Sequence, residues 1–474
     1  MQELLVFRRS VLLAVAAIVG CGEDPAMPAA APASIVQTGS ASGTPGWLLD
    51  DPIAVKVLDD RGNPVADAVV TWQTNEEGAW LASTSSTTDS EGIAKVAFAP
   101  GWKLGLQTVR ATANTFTVDA SVTVGTLRLA TVEGKSAANC GIDPEGRLWC
   151  WSHSPTRWPD QDPKRFNSGG RPFRVDPDRR YKDIEAVVPD NPLNFCGLTV
   201  ANEMRCWTIP WQAFENGAPT SIESVPRNTP VPFVFLIAGD YGNGVQGSLC
   251  ALDTDGRAWC RGNNRFGELG DGTRVDREEF QPVLGDVKFK KLSTSGRDYC
   301  GLDLDDHAWC WGGGYGEPVN VPIRMGGDHR YSEIGFSGSS SCGIELTTTK
   351  LYCWGSIGMD GIESDDATPR IEPHEIPGSI NLVEIAGGGN LLGVFRLAGG
   401  QIGFAGDLFH FPGYNTFAGR VLTAPLSPSP GWRVPPRFSS LISKGSDTWC
   451  GIHQGGATLC AWGVSAPTGV PTPE

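Results

Sequence analysis

The sequence predicts an all-β protein: a seven-bladed β-propeller preceded by a smaller β-sandwich. Three observations predict it. Twelve of the thirteen cysteines fall into pairs of near-constant spacing, each pair set inside the same recurring phrase. A cysteine-free stretch near the amino terminus alternates apolar and polar residues between turn signals. Sixty glycines and thirty-five prolines, with only 19% charged residues, supply many turns.

The repeat comes first because it fixes the architecture. Cys140/Cys150, Cys196/Cys206, Cys250/Cys260, Cys300/Cys310 and Cys450/Cys460 are each ten residues apart, and Cys342/Cys353 are eleven apart. The phrases read CGIDPEGRLWCW, CGLTVANEMRCW, CALDTDGRAWCR, CGLDLDDHAWCW, CGIELTTTKLYCW and CGIHQGGATLCAW. A further copy without cysteines runs from Val383 to Gly406, with Leu392 and Gly403 at the expected cysteine positions. First-cysteine positions then recur every 42 to 58 residues, which leaves no room for an eighth unit. Each pair is preceded by an apolar stretch ending near glycine, as in FVFLIAG at 233–239 and FKKLSTSG at 289–296. Many copies close on proline and a branched residue, as at Pro172–Val175 and Pro318–Val319. That makes four short strands per unit, the content of one blade.

The cysteine spacing fits a hairpin closed by a disulfide. Nine intervening residues allow two strand arms and a turn, so the sulfurs face each other across ~4.5–5.5 Å of Cα separation. Each such loop stabilises its blade by roughly 2–3 kcal/mol in the chain-entropy model. Trp149, Trp151, Trp207, Trp259, Trp309, Trp311, Trp354 and Trp462 flank the second cysteines. Strand alternation puts sulfur on one face and indole on the other, where it can meet the next blade. Zinc fails on spacing, because structural sites use two to four intervening residues.

The amino terminus addresses the chain out of the cytoplasm. Arg8 and Arg9 precede an apolar stretch, Val11 to Val19, that is too short to cross a bilayer. Ile18-Val19-Gly20-Cys21 resembles the lipobox of bacterial lipoproteins. The resemblance implies a signal peptide over 1–20 and diacylglycerol on Cys21, an anchor to the membrane of the bacterial cell envelope. An ordinary secretory signal is the competing reading. The flanks of Arg8-Arg9 match the twin-arginine pattern poorly, and the paired cysteines need an oxidising space. Residues 21–33 form an Ala/Pro tether.

Residues 34–125 carry VKVLDDRGNPVADAVVTW, TTDSEGIAKVAF and QTVRATA. These strand-and-turn phrases resemble the bacterial immunoglobulin-like domains of the invasin and intimin group. The resemblance implies a β-sandwich stalk, with Trp72 and Trp80 as packing residues.

Residues 126–474 resemble the repeat of the regulator of chromosome condensation superfamily. The fullest copy is SLCALDTDGRAWCRGNNRFGELGDGT, Ser248 to Thr273, which alone keeps the Asn264-x-x-Gly267-x-Leu269-Gly270 tail. The resemblance implies seven blades and a protein-binding surface. Nucleotide exchange on a small GTPase and chromatin docking, known from the nuclear member, do not transfer to an exported chain. A formal charge of −15 opposes nucleic acid as a partner. A secreted propeller of the same superfamily caps β-lactamase, so the scaffold can bind protein outside a cell.

Nothing in the sequence points to catalysis, a metal or a cofactor. His153, His307, His329, His374, His410 and His453 are scattered, and no H-E-x-x-H, G-x-S-x-G or Walker loop occurs. Asp303, Asp305 and Asp306 beside His307 form a carboxylate cluster, but also fill a hairpin turn. Asp253-Thr254-Asp255-Gly256 is half a calcium loop without its distal glutamate. The expected function is a lipid-anchored scaffold for an unknown protein or glycan ligand. A structural envelope component, a carbohydrate- or peptide-active enzyme and exchange-type activity are the alternatives. Candidate contact residues lie in three long insertions, Ser152–Gly170, Trp207–Val225 and Leu408–Gly431: Trp158, Trp211, Phe214, Phe409, Phe411 and Tyr414. These aromatics either meet a partner or cover blade edges.

Overall fold

The computed structural model describes residues 31–469 except 46–48, 50, 77–78, 102, 136–137, 153–171, 188–192, 210–221, 223, 240–246, 314–317, 326, 338–339, 356–369, 377, 387–391, 407–421, 424–437, 443–447 and 463–467. Cys21 and the signal segment lie outside the described residues. All regular structure among the described residues is β. No helix among them is long and apolar enough to cross a membrane.

The amino-terminal module is a sandwich of a three-stranded and a five-stranded sheet. Alternation drives it: Ile53–Leu58 buries every second residue, and Val69–Gln73 does the same. Val55, Val57, Val70, Trp72, Phe98, Val109 and Val122 meet between the sheets. Trp72 is a core residue whose indole Nε1 donates to Ser86 Oγ at 2.9 Å. Trp80 sits half-buried in a short strand pair with Ala99.

Seven four-stranded antiparallel sheets follow, each built from four consecutive strands. They span Thr131–Val175, Tyr181–Pro226, Phe233–Pro282, Phe289–Met325, Tyr331–Glu375, Leu382–Thr423 and Phe438–Gly469, here blades 1 to 7. The first strands of successive blades lie side by side, so the first strand of every blade is innermost. Blade 7 returns to blade 1, where Val132 N–H donates to Ile442 O at 2.9 Å. Closure exchanges no strand between the first and last blades. It rests instead on packing of Leu127, Leu129, Val132 and Trp151 with Cys450 and Cys460.

Register explains the disulfides. In blade 1, Asp143 N–H donates to Arg147 O, so hydrogen-bonded pairs fall at 143/147 and 141/149. Cys140 and Cys150 then face each other in the non-hydrogen-bonded position, where Cα atoms approach most closely. The same holds for Cys196 with Cys206, Cys250 with Cys260, Cys300 with Cys310, and Cys450 with Cys460. All six pairs are joined, with Cα atoms 4.0–4.1 Å apart. This is shorter than the separation expected from the sequence, because that expectation did not separate the two kinds of pair. In blade 5 the extra residue is absorbed in the turn, where Thr349 takes a φ of 57°, and Cys342 still faces Cys353.

Blade 6 corrects the alignment made from sequence. Leu397 N–H donates to Gln401 O, and Gly400 takes the positive φ of 79° found at Gly146 and Gly256. The turn therefore sets Val394 opposite Phe404 at the positions of the cysteines. Leu392 instead pairs with Gly406, and Gly403 with Phe395. The glycine-rich run before Leu392 had masked the turn that carries the register.

The tryptophans divide by their place along the third strand, since those on either side of a cysteine share one face. Those just after the second cysteine turn inward and join the disulfide of the preceding blade. Trp151 clusters with Cys450 and Cys460, Trp207 with Cys140 and Cys150, and Trp311 with Cys250 and Cys260. Trp354 clusters with Cys300 and Cys310 and donates its Nε1–H to Cys310 Sγ at 3.3 Å.

The disulfides of blades 2 and 5 meet no indole at this position, although the half-buried Trp259 packs against the blade 2 cluster. Blade 3 has Arg261 where the inward tryptophan would stand. Cys196 and Cys206 are packed instead with Phe233, Leu236 and Phe280, and Phe280 lies 5.2 Å beneath the Arg261 guanidinium. Cys206 keeps 9% of its surface, more than any other paired cysteine, against 3% for Cys196. Cys206 thus sits at the margin of the core.

A second contact ties blades together at their ends. Tyr181, Phe289 and Phe438 donate backbone N–H to Gly146, Gly256 and Gly400 O of the previous hairpin, each at 2.7 Å. The turn must curl tightly for this: Gly256 has φ +81°, and a Cβ there would stand 2.8 Å from Phe289 O. At Gly301, a Cβ would stand 2.2 Å from the Phe289 ring, so the residue after the first cysteine is kept small.

Trp311→Ala is expected to lower unfolding free energy by about 3–5 kcal/mol in denaturant titration. Arg261→Ala should cost well under half of that, since Phe280 already fills its cluster. Gly256→Ala should cost about 1–2 kcal/mol and Gly256→Asn less, because asparagine tolerates the left-handed region. Equal stability of Trp311→Ala and the parent would remove the indole from its structural role.

Candidate functional site

Strand order divides the ring into two faces. Connections from first to second strand and from third to fourth open on one end, the loop face. The second-to-third hairpins and the blade-to-blade linkers lie at the other, the turn face. Trp158, Trp211, Phe214, Phe409, Phe411 and Tyr414 all lie outside the described residues. The strands flanking them are third and fourth strands of blades 1, 2 and 6, whose adjoining ends are at the loop face.

Two of the insertions read from the sequence are corrected by strand pairing. In Trp207–Val225, the third strand runs on to Ile209, and Val225 begins the fourth strand opposite Cys206. Cys206 is thus held on both sides of its strand, by Cys196 through sulfur and by Val225 through register. In Leu408–Gly431, Leu422–Thr423 is the fourth strand of blade 6. The insertion between the third and fourth strands of blade 6 therefore ends before Leu422.

The carboxylate cluster of blade 4 forms a hairpin turn. Asp303 Oδ1 accepts the backbone N–H of Asp305 and His307 at 2.9 and 2.8 Å. Its Oδ2 accepts Trp309 Nε1–H at 2.8 Å. Burial pushes this carboxyl up, but the His307 N–H and the Trp309 indole outweigh it and hold it below the usual range. Asp306 takes a φ of 69° and pairs with Lys290. The same clasp recurs as Asp143 with Trp149 and Asp253 with Trp259, each at 2.9 Å. The half calcium loop is therefore satisfied from within. Among the described residues no group of three or more His, Cys, Asp or Glu is placed to hold a metal.

The described part of the loop face with the most chemistry is Gly262–Asp276 of blade 3. Asn264 is fully buried and organises it. Its Oδ1 accepts Leu269 N–H at 3.0 Å, and its Nδ2 donates to Asp271 Oδ1 and Val275 O at 3.1 Å. Gly272 and Asn320 exchange hydrogen bonds at 2.9 and 2.7 Å, which seats the loop on blade 4. Phe266 is half-buried, with Arg265 and Arg297 guanidiniums 5.5 and 5.7 Å from its ring centre. Both arginines are exposed. Such an aromatic held among guanidiniums suits contact with carboxylates or polar rings on a partner.

Beneath it lies Glu268, only 2% exposed. Its Oε2 accepts Phe266 N–H at 2.7 Å, and its backbone O accepts Trp311 Nε1–H at 2.8 Å. Burial pushes its carboxyl up to about 7, with Asp276 and Asp298 adding in the same direction. The sequence marked this tail as the one full copy of the repeat but gave Asn264 and Glu268 no role. A glutamate amid turn residues carries no sign of burial until the neighbouring blade covers it.

The sandwich meets the ring on the turn face. Lys103 forms a backbone bridge with Gly456 in the hairpin turn of blade 7, and Gln107 pins the loop before it through Gly101 and Lys103 O. Thr126 Oγ1 and Leu129 N–H bond Thr458 at 3.4 and 3.2 Å.

Residues 51–132 match the family described as bacterial Ig-like domain (group 1). The sandwich is a bacterial Ig-like domain. The match lies over that module and ends at the first two residues of blade 1. Among solved structures, Prp20p of Saccharomyces cerevisiae is similar at 13% identity and TM-score 0.48, over 72% of this chain and 82% of that one. Human WBSCR16 is similar at 14% identity and TM-score 0.45, over 62% and 78%. The CRINKLY WD40 ectodomain of the Arabidopsis thaliana receptor kinase ACR4 is similar at 15% identity and TM-score 0.38, over 70% and 98%. Comparison with curated protein sequences finds no match. The propeller itself rests on the strand order and registers above. A bacterial Ig-like domain joined to a ring with six disulfides is the make-up of an exported protein.

Glu268 carries a pH prediction. Its folded pKa lies above its unfolded value, so the folded state holds the extra proton between them. Its stabilising contribution is complete below about pH 4.5 and is lost as pH rises through about 7. Glu268→Gln keeps the acceptor for Phe266 N–H and should raise stability at pH 8 by about 1–3 kcal/mol, with little change at pH 5. Parallel pH–stability curves for the two proteins would show that the carboxyl does not titrate as described.

Proposed function

We propose that this chain is a lipid-anchored envelope protein that binds a protein or glycan ligand on the loop face of its propeller. The observation that carries the reading is the opposition of the two faces. The sandwich, which precedes the ring in the chain, contacts the turn face at blade 7. The long third-to-fourth connections of blades 1, 2 and 6 depart from the other. An acylated Cys21 would hold the turn side toward the bilayer, with the Ig-like domain as spacer. The loop face, with Trp158, Trp211, Phe214, Phe409, Phe411, Tyr414 and the Phe266 loop, would then point outward.

Binding rather than catalysis is the favoured reading because the polar clusters found are spent on structure. Asp143, Asp253 and Asp303 give their oxygens to backbone N–H groups and indoles. Rigid blades stapled by disulfides keep loop ends fixed, which lowers the ordering cost of capture.

Two measurements check it. The mass of the mature amino terminus should show diacylglycerol on Cys21, absent in Cys21→Ser; an unmodified amino terminus would remove the anchor. The mature protein should retain an envelope component on affinity capture, and replacing 408–421 by a short Gly/Ser link should weaken retention at least fivefold without lowering the melting temperature. Undiminished retention by that variant, and by Phe266→Ala, would move binding off the loop face.

A further inference from the structure

Blade 1 and its linker gather arginines that are far apart in the patterning of the sequence. The register sets Arg174 of the fourth strand opposite Trp149 of the third. Arg147 lies two residues before Trp149, on the same side of its strand. Both guanidiniums stand against the indole, 5.9 Å from its centre for Arg147 and 5.2 Å for Arg174. Arg147 is neutralised by Asp143 and Glu145.

Arg174 has no such partner among the described residues. It is half-buried, its Nη2 donates to Pro177 O at 2.9 Å, and its buried Nε has no acceptor. Arg180 reaches the same Pro177 oxygen from the linker to blade 2, at 3.4 Å, and also bonds Arg179 O at 3.1 Å. Its stem lies on the turn of blade 1, close to Gly146. Arg174 and Arg180 thus converge on one carbonyl oxygen, and neither has a carboxylate within ion-pair distance among the described residues. Burial, then Arg180 and Arg147, press the Arg174 guanidinium below its ordinary pKa, and Asp143 and Asp178 offset this only in part. The neighbouring Arg179 is different, because Asp176 takes its charge at 2.8 Å. That contrast stands out in a chain with 53 acidic side chains.

We propose that the junction of blades 1 and 2 on the turn face binds a phosphate-class oxyanion between Arg174 and Arg180. Planar guanidiniums present paired N–H donors that match phosphate oxygens, and an anion here relieves the repulsion among the gathered cations. Trp149 holds the Arg174 guanidinium in place and limits what it loses in ordering. The site faces the side on which the sandwich contacts the ring, so a phospholipid headgroup and free phosphate are both in reach of the same chemistry.

The test uses the mature chain carrying Cys21→Ser, so that no acyl group brings it to a membrane. Inorganic phosphate is titrated by calorimetry, and flotation is measured with phosphatidylglycerol and with phosphatidylcholine vesicles. Binding to phosphate, to phosphatidylglycerol vesicles, or to both is expected, weakened about tenfold in each of Arg174→Gln and Arg180→Gln. Arg179→Gln removes the same charge one residue away and should stay within twofold. Without phosphate, the double variant Arg174→Gln/Arg180→Gln should melt no lower than the parent. Phosphate binding alone identifies a free anion as ligand, and vesicle binding alone identifies a headgroup. No binding to either, or equal weakening by Arg179→Gln, overturns the proposal.

Discussion

The ring depends on one contact repeated around it: the indole of a blade packed with the disulfide of the blade before. A four-stranded sheet is too small to bury a face alone, so each blade is stable only against its neighbours. The disulfide and the indole solve this jointly. Hairpin register puts the two cysteines on the face toward the next blade, and the tryptophan one residue on points the opposite way. Trp151, Trp207, Trp311 and Trp354 each reach back to the preceding sulfur pair. Where the motif lapses, at Arg261, the fold sets Phe280 against Cys196 and Cys206, and Asp183 Oδ2 accepts Leu236 N–H at 2.7 Å across the same seam.

Turn chemistry is the second recurring device, and it crosses the domain boundary. Asp59 and Asp89 in the sandwich accept two backbone N–H groups each, two and four residues on. Asp143, Asp253 and Asp303 do the same in the ring. In the blades the second oxygen takes an indole N–H as well, which couples the turn to the third strand. Carboxylates that gather in sequence are thereby committed to local structure. Glu268 is the contrast: its buried carboxylate takes the Phe266 N–H, and its proton is held to near neutrality.

Charge has a geography that the total conceals. A formal −15 describes an acidic protein with no basic stripe. The fold nevertheless brings Arg147 and Arg174 against Trp149 on the turn face with Arg180 reaching the same Pro177 oxygen as Arg174, and Arg265 with Arg297 around Phe266 on the loop face. Strand register makes neighbours of residues that linear spacing keeps apart.

The sheets are legible in the linear pattern alone. The cysteine spacing, the turn aspartates with their glycines, and the alternation in 34–125 are local patterns, and local patterns dictate hairpins because both arms lie within a dozen residues. Even the unit without cysteines was visible, although its register was not: Val394 and Phe404 are set by the Gly400 turn, and the run of glycines upstream offered a false alignment. Only the tertiary structure decided which side of each sheet met a neighbour. It separated the tryptophans that clasp a turn from those that reach another blade, and it packed Cys206 with Phe233, Leu236 and Phe280. It buried Glu268 under blade 4, and it drew two arginines to one carbonyl. These are relations between segments dozens of residues apart, fixed by how twisted sheets stack, and no spacing along the chain encodes them.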